Sequence, residues 1–263
     1  MASITLILLA AGRSSRFGKP KQLEPVGPNG EAIMDITLRD AFANGCDHAV
    51  IVVRPEHQAI FSTRCTSDER IRTRVQEEAL GTAHAVLVAL RSVEGTVIVA
   101  NGDDLYGSTS LAQALHHART GHANEHALVT FDLANTLSSN GPVNRAVCQL
   151  NALGGLVGLK EVSGFTRDDQ QMIYSMNDRH WASTTPVSMN LWVFRPSIFL
   201  LFNSLFACYR TEGSLAEFML PSVAHHALSH GHTFRALPTD DHWCGLTYPA
   251  DVDLVRQTLS RST

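Results

Sequence analysis

The sequence predicts an α/β fold, a doubly wound and mostly parallel sheet with a small antiparallel portion in its back half. Three observations predict it. Short runs are aliphatic or β-branched throughout, helix-compatible segments separate them, and the pattern changes near residue 135. Uninterrupted apolar runs are what burial on both faces produces, as in parallel sheets covered by helices.

The runs are "ITLILL" (4–9), "HAVIVV" (48–53), "GTVIVA" (95–100) and "HALVTF" (126–131). Between them, "IMDITLRDAFANG" (33–45) carries apolar residues at helical spacing and ends on Gly45, and "GTAHAVLVALRSV" (81–93) is rich in Ala and Leu. Strand, helix and strand in alternation imply right-handed βαβ units. Beyond residue 135, "NTLSSNGPVNRAV" is turn-rich and "GGLVGLKEV" (154–162) reads as part of a hairpin. The polar stretch 168–186 reads as a mobile connection. "VSMNLWVFRPSIF" returns to a buried strand, and 214–231 reads as a terminal helix closing at Gly231.

The 263 residues carry 44% hydrophobic and 17% charged residues and a formal net charge of -4, ordinary for a globular chain able to bury a core. A pI near 6.3 argues against nucleic acid or an anionic membrane as partner. Five scattered cysteines with no CxxC pair indicate neither a disulfide framework nor a zinc ribbon. The apolar N-terminus lacks the preceding cation of a signal peptide, and no run reaches the roughly 18 residues of a membrane span. These features predict a soluble, cytoplasmic protein and leave homo-oligomerisation open. The 13 histidines include "AHHALSHGH" (224–232), where His226 and His230 share a helix face, but no HExxH pattern or nearby Cys accompanies them. Surface histidines are expected there rather than a zinc site.

Against this acidic background, "LLAAGRSSRFGKPKQL" (8–23) holds Arg13, Arg16, Lys19 and Lys21 with no acid before Glu24. A small-residue loop after a buried strand brings backbone N–H groups to an anion, and cations neutralise it. It is not a Walker A loop, because Pro20 follows Gly18-Lys19. Nor is it a dinucleotide fingerprint: Gly12 and Gly18 stand too far apart, and the second strand ends in Arg54 rather than an acid.

Leu9, Ala10, Ala11, Gly12, Arg16, Pro20 and Lys21 resemble the Leu-Ala-Ala-Gly, Arg, Pro-Lys signature of the nucleotidyltransferases that activate sugar phosphates and related alcohol phosphates. The resemblance implies a Rossmann-like fold of the nucleotide-diphospho-sugar transferase type. It implies one domain over 1–263, with a nucleotide-binding half to about 133 and an acceptor-binding half from about 134. Leu9 to Gly12 would then meet the base, and Arg16 and Lys21 the phosphates. "QEEALGTAHAV" (76–86) resembles the family's base-reading segment, which carries that role to Gln76, Gly81 and Thr82. An amide pairs with both a donor and an acceptor, which suits a pyrimidine edge; uracil, thymine and cytosine stay undivided.

"VIVANGDDLYG" (97–107) sets two acids directly after a buried strand, at the edge where open α/β sheets bind ligands. By resemblance Asp103 binds Mg²⁺. In the back half Glu161 of "GLVGLKEV" and Asn190 of "PVSMNLWVF" match sugar-contacting positions, and Arg145 of "VNRAV" stands where the family has a sugar-contacting turn. "AEFMLPSV" (216–223) resembles the segment that follows. The family's second metal acid is not at its usual place. Gly245 or Thr247 occupies it, with Asp240 and Asp241 nearby; Asp241 is the candidate second ligand, and Asp251 a candidate helix N-terminus.

The expected reaction joins a nucleoside triphosphate to a small phosphorylated acceptor, a sugar 1-phosphate, with release of pyrophosphate. Ser14, in place of the Gly of many sugar-nucleotide enzymes, and "PKQL" also resemble cytidylyltransferases of non-sugar alcohol phosphates. A catalytically silent nucleotide-binding paralogue is a third reading.

Overall fold

The computed structural model describes residues 3–12, 20–138, 140–211, 216–246 and 250–261. The front of the chain runs β1 (Ile4–Leu9), α1 (Ile33–Ala43), β2 (His48–Val53), α2 (Gln58–Cys65), β3 (Ile71–Val75), α3 (Thr82–Leu90), β4 (Thr96–Asn101), β5 (Asp104–Leu105), α4 (Ser108–Thr120) and β6 (Glu125–Asp132). The back continues with β7 (Val143–Leu150), β8 (Leu156–Arg167), β9 (Ile173–Tyr174), β10 (His180–Trp181), β11 (Pro186–Phe194), α5 (Phe199–Thr211), α6 (Leu220–Ser229), β12 (Thr233–Thr239), β13 (Cys244–Gly245) and α7 (Asp251–Arg261).

One large sheet runs in the order β10-β9-β8-β7-β11-β4-β1-β2-β3, with β6 beside β11 and β12 beside β6. One end of it, β4-β1-β2-β3, is parallel, while β11 is antiparallel to β4, β6 and β7. The apolar runs are buried on both faces, as their composition requires. Ile4, Leu6 and Leu8 pack with Met34 and Leu38 of α1 and Leu111 and Leu115 of α4. Ile7 and Leu9 face the other way, toward Val86 of α3, Phe202 of α5 and Val223 of α6.

Several elements differ from the sequence reading. The connection 168–186 contains β9 and β10, which extend the sheet beyond β8. The helix read over 214–231 begins only at Leu220 with Pro221 in its first turn, and it is not terminal, since β12, β13 and α7 follow. Pro fits the first turn because its missing N–H has no helical partner there. α2, β3 and α4 were not read at all. β3 is a sheet-edge strand with exposed Arg72 and half-buried Thr73 and Arg74 between two aliphatics, without an apolar run to reveal it. Asp251 does open α7. No helix among the described residues is long and apolar enough to cross a membrane.

Candidate functional site

β1 and β4 end side by side, with Leu9 in register with Asn101, and the Gly102 N–H donates to the Leu9 carbonyl at 2.9 Å. Ala10 N–H donates to Val52 O and Gln76 N–H to Val53 O, both at 2.8 Å. The carboxyl ends of four parallel strands therefore share one edge, where loops free of sheet pairing can surround a ligand.

An open cleft of about 130 Å³ lies at this edge, lined by Leu9, Ala11, Gly12, Gln76, Ala79, Gly81, Thr82, Ala85 and Glu217. Six of the seven expected nucleotide-binding residues line it. Ala10 does not: its side chain is in the core on the α1 and α4 side. Alternation along an extended chain requires this, since Leu9 and Ala11 face the cleft side. Gly81 precedes α3 with φ at 108°, and a Cβ there would fall 2.4 Å from the Phe218 carbonyl. Only glycine lets the 216–219 segment close on the cleft. Glu217, on a segment the sequence associates with the acceptor side, thus reaches the nucleotide cleft instead.

The Gln76 carboxamide is already partly used. Its Nε2 donates to the Gly81 carbonyl at 3.1 Å and lies 3.0 Å from His84 Nδ1. Both of its donors face the protein, so the pole available to the cleft is the acceptor Oε1. This narrows the expectation that the amide offers donor and acceptor together.

Beyond the cleft, Lys21 forms an ion pair with Asp103 and donates to the Leu246 carbonyl at 2.7 Å. The Asp103 carbonyl accepts the Leu246 N–H at 3.1 Å. Asp104 is buried; burial and the adjacent Asp103 charge push its carboxyl above the usual carboxylate range. It accepts the Asn101 Nδ2–H at 2.8 Å. β13 pairs with β5 directly here, Gly245 opposite Asp104, and a Cβ on Gly245 would meet Asp104 Oδ1 at 2.5 Å. Any side chain at 245 would therefore collide with Asp104, and the other aligned position, Thr247, lies outside the described residues. Asp241 accepts the Ser110 N–H at 2.7 Å and the Ser110 hydroxyl at 2.9 Å, capping the first turn of α4. Unpaired N–H groups and the positive end of the helix dipole favour a carboxylate there. Among the described residues, no three His, Cys, Asp or Glu side chains converge as a metal cluster.

Next to Lys21, Gln22 is 1% exposed, and neither its Oε1 nor its Nε2 has a hydrogen-bond partner. Its Cγ lies 3.4 Å from where a Cβ of Gly102 would stand. An orphaned buried amide costs about 1–3 kcal/mol, and this one lies against Gly102, the neighbour of Asp103 in sequence. The sequence reading missed Gln22, although "PKQL" displays it.

On the back side, β11 carries a bulge between Ser188 and Trp192, and Asn190 within it adopts φ of 62°. Trp192 pairs with Val99 of β4, so the bulge stands by the end of β4 and the acidic pair. Trp192 Nε1–H donates to Asn190 Oδ1 at 3.3 Å, leaving the Asn190 amide N–H groups as its offering. Bulges re-aim side chains next to active sites, and left-handed Asn costs less than other residues. Glu161 lies abreast of Ala146 on β7, and burial raises its carboxyl while Arg145 lowers it. Arg145 is largely committed to the framework. It donates Nε–H to Thr136 Oγ1 at 3.1 Å and Nη1–H to Asn144 O at 2.7 Å, and it lies 4.9 Å over the Trp243 ring. Burial lowers it to about 10. Arg16, together with Ser14 and Thr247, lies outside the described residues.

The sequence matches the model of the MobA-like NTP transferase domain over residues 6–167. The chain belongs to this family. Family membership makes it a nucleotidyltransferase. Among curated relatives, the bifunctional protein GlmU of Corynebacterium aurimucosum is 34% identical over 145 residues, 51% of this chain and 29% of the relative. The GlmU of Corynebacterium diphtheriae is 26% identical over 250 residues, 91% of this chain and 47% of the relative. The chain thus spans about half or less of the length of these relatives. Its fold is similar to that of the inositol-1-phosphate CTP transferase from T. maritima, with TM-score 0.71, 17% identity and 99% of this chain and 96% of the other covered. A Bacillus anthracis protein provisionally assigned as a glucose-1-phosphate thymidylyltransferase gives TM-score 0.72 at 14% identity, covering 98% and 95%.

Proposed function

We propose that this protein joins a nucleoside triphosphate, with a pyrimidine base, to a sugar 1-phosphate and releases pyrophosphate. The observation that carries the reading is the single edge on which the Gln76 cleft, the orphaned Gln22 and the Lys21–Asp103 pair stand together. A base in the cleft directs its phosphates along the edge toward Lys21. Asn190 and Glu161 approach from the other side and suit hydroxyls of the acceptor.

In the reaction an oxygen of the acceptor phosphate bonds to the α-phosphorus. The bond from that phosphorus to the bridging oxygen breaks, and pyrophosphate leaves with the electron pair. The nucleophile is already an anion, so no general base is needed. The difficulty is electrostatic, and Lys21 meets it by neutralising triphosphate charge and holding it in line, with Arg16 assigned the same task by sequence alone. The acid pair fits a hard, oxygen-seeking cation: Asp103 would hold Mg²⁺, with Asp104 beside it, where burial first and then the Asp103 charge lift the Asp104 carboxyl and a cation would relieve the second of these. When bound, Mg²⁺ supplies further neutralisation of phosphate charge.

The test is pyrophosphate release over a grid of nucleoside triphosphates against hexose 1-phosphates and alcohol phosphates, with and without Mg²⁺. A metal-dependent signal confined to a pyrimidine triphosphate and a sugar 1-phosphate is expected. A signal confined to CTP and an alcohol phosphate would replace this acceptor assignment. Nucleotide binding without pyrophosphate release from any pair would favour the silent paralogue.

A further inference from the structure

His84 lies behind the cleft on α3, buried, with its Nδ1 between two partners. Gln76 Nε2 is 3.0 Å away and the Glu78 carbonyl 3.1 Å away. One ring nitrogen cannot serve both, because Nδ1 must accept from the amide and donate to the carbonyl. Gly81 decides which. Its carbonyl only accepts, so the nitrogen of the Gln76 carboxamide must face it at 3.1 Å. The second amide hydrogen then points at His84 Nδ1, which accepts only when the ring is neutral with its proton on Nε2. Oε1 is left toward the cleft. A proton on Nδ1 reverses the arrangement: it donates to Glu78 O and the amide loses one of its two anchors.

We propose that His84 is the positioning residue of base recognition, its neutral ring holding the Gln76 carboxamide with Oε1 turned to a base edge that bears an N–H donor. This inference rests on the nucleotide reading above and adds a proton-dependent element to it. The ring itself is fixed by stacking on Phe206 of α5, with centroids 4.8 Å apart and planes at 14°. Phe206 in turn packs on Tyr209 and Phe218. The charged groups around His84 are Glu78 on its own loop, Arg91 at the end of α3 and Arg210 on α5, which pairs with Glu78 at 3.0 Å. Burial lowers the His84 pKa most; the Glu78 carbonyl and carboxylate raise it, and Arg91 and Arg210 lower it. The direction keeps the ring neutral at pH 7 and places its protonation below the ordinary histidine range.

Two variants separate positioning from packing. His84→Phe keeps the ring stack and removes the acceptor; His84→Asn places a side-chain Oδ1 near the former Nδ1 and cannot titrate. Calorimetric Kd for the nucleoside triphosphate and the KM for pyrophosphate release are measured for both, across pH, with thermal melting to verify folding. His84→Phe is expected to raise Kd and KM about tenfold, the worth of one such hydrogen bond, with KM moving more than kcat. His84→Asn is expected to recover most of that loss. The wild-type Kd should rise as pH falls below the ordinary histidine range, and that of His84→Asn should stay flat there. Unchanged affinity in His84→Phe, or the same acid-side profile in wild type and His84→Asn, overturns the role of His84. The second comparison decides the matter even if His84→Phe does not fold. A wild type that neither binds nor turns over any nucleoside triphosphate overturns the nucleotide reading itself, and this inference with it.

Discussion

The two edges of the central sheet treat buried polar groups in opposite ways. At the amino-terminal edge, buried Arg195 donates Nε–H to Glu125 O at 3.1 Å, Nη1–H to Thr96 Oγ1 and Ala118 O at 3.1 and 2.7 Å, and Nη2–H to His117 O at 2.8 Å. Fully buried His126 accepts the Arg195 N–H at Nδ1 and so turns its Nε2–H to His232 Nδ1, 3.0 Å away. At the carboxyl-terminal edge, Gln22 is equally buried and has no partner, and the Asp104 carboxyl is pushed up by burial and by Asp103. Satisfied networks make a rigid, specific core, whereas unsatisfied ones store a cost that a ligand can relieve. The first edge holds the sheet together, and the second keeps polar groups whose partners the proposed nucleotide and cation would supply.

The contrast is broken most severely at the Lys21–Asp103 pair. Lys21→Ala and Asp103→Asn are each expected to lower kcat by about 10²-fold or more, as loss of electrostatic stabilisation does. Steady-state pyrophosphate release measures this, and near-full activity in either variant removes that residue from the site.

The next effect belongs to the opposite edge. Burial first, then the neighbouring His232 and Arg195, lower the His126 pKa from 6.5 to about 3. Between those values the unfolded chain binds a proton that the folded chain refuses. Stability from this group is therefore present above the unfolded pKa and lost as pH falls from about 6.5 toward about 3. Melting curves over this range should show a falling Tm in wild type and a shallower fall in His126→Asn. Equal slopes would mean that His126 does not govern acid stability.

Asn190 should show a smaller, divided effect. Asn190→Gly satisfies the positive φ without its amide, so stability should change by about 1 kcal/mol or less while the acceptor KM rises about tenfold. Asn190→Ala should show the same KM and a lower Tm, since Cβ strain in the left-handed region costs about 1–2 kcal/mol. If the two variants match in Tm, the bulge carries no strain. The smallest effect is expected at Gln22. Gln22→Leu removes the orphaned amide, so the ligand-free protein should gain about 1 kcal/mol and melt roughly 2–4 °C higher, while nucleotide affinity falls. A drop in both would show that the amide is structural.

The front of this edge was legible in the sequence because its parts are local. Apolar runs mark the parallel strands, and a loop leaving a strand end has to stand at the edge. Leu9, Gly12 and Asp103 close or follow such runs and could be set at the edge from them, whereas Gln76 and Gly81 were assigned by the family resemblance alone, since β3 has no apolar run to reveal it. The rest depends on contacts that no local pattern carries. Glu217 reaches the cleft because Phe218 packs against a glycine 137 residues away in sequence, counting from Gly81. Asp241 is drawn to the end of α4, a helix absent from the sequence reading. Arg145 looks available in "VNRAV" until Thr136 and Trp243 close on it. The bulge that aims Asn190 is a register shift between antiparallel strands, which period-2 patterning does not mark.

The most direct measurement follows the nucleotidyl group itself. The protein is incubated with Mg²⁺, a hexose 1-phosphate and a pyrimidine nucleoside triphosphate labelled at the α-phosphate, and product and pyrophosphate are counted together. Label passing into a sugar-linked diphosphate, matched one to one by pyrophosphate and reduced about 10²-fold in Asp103→Asn, is the result expected of this site. Label that stays in the triphosphate with every acceptor, or that passes equally well in Asp103→Asn, would contradict it.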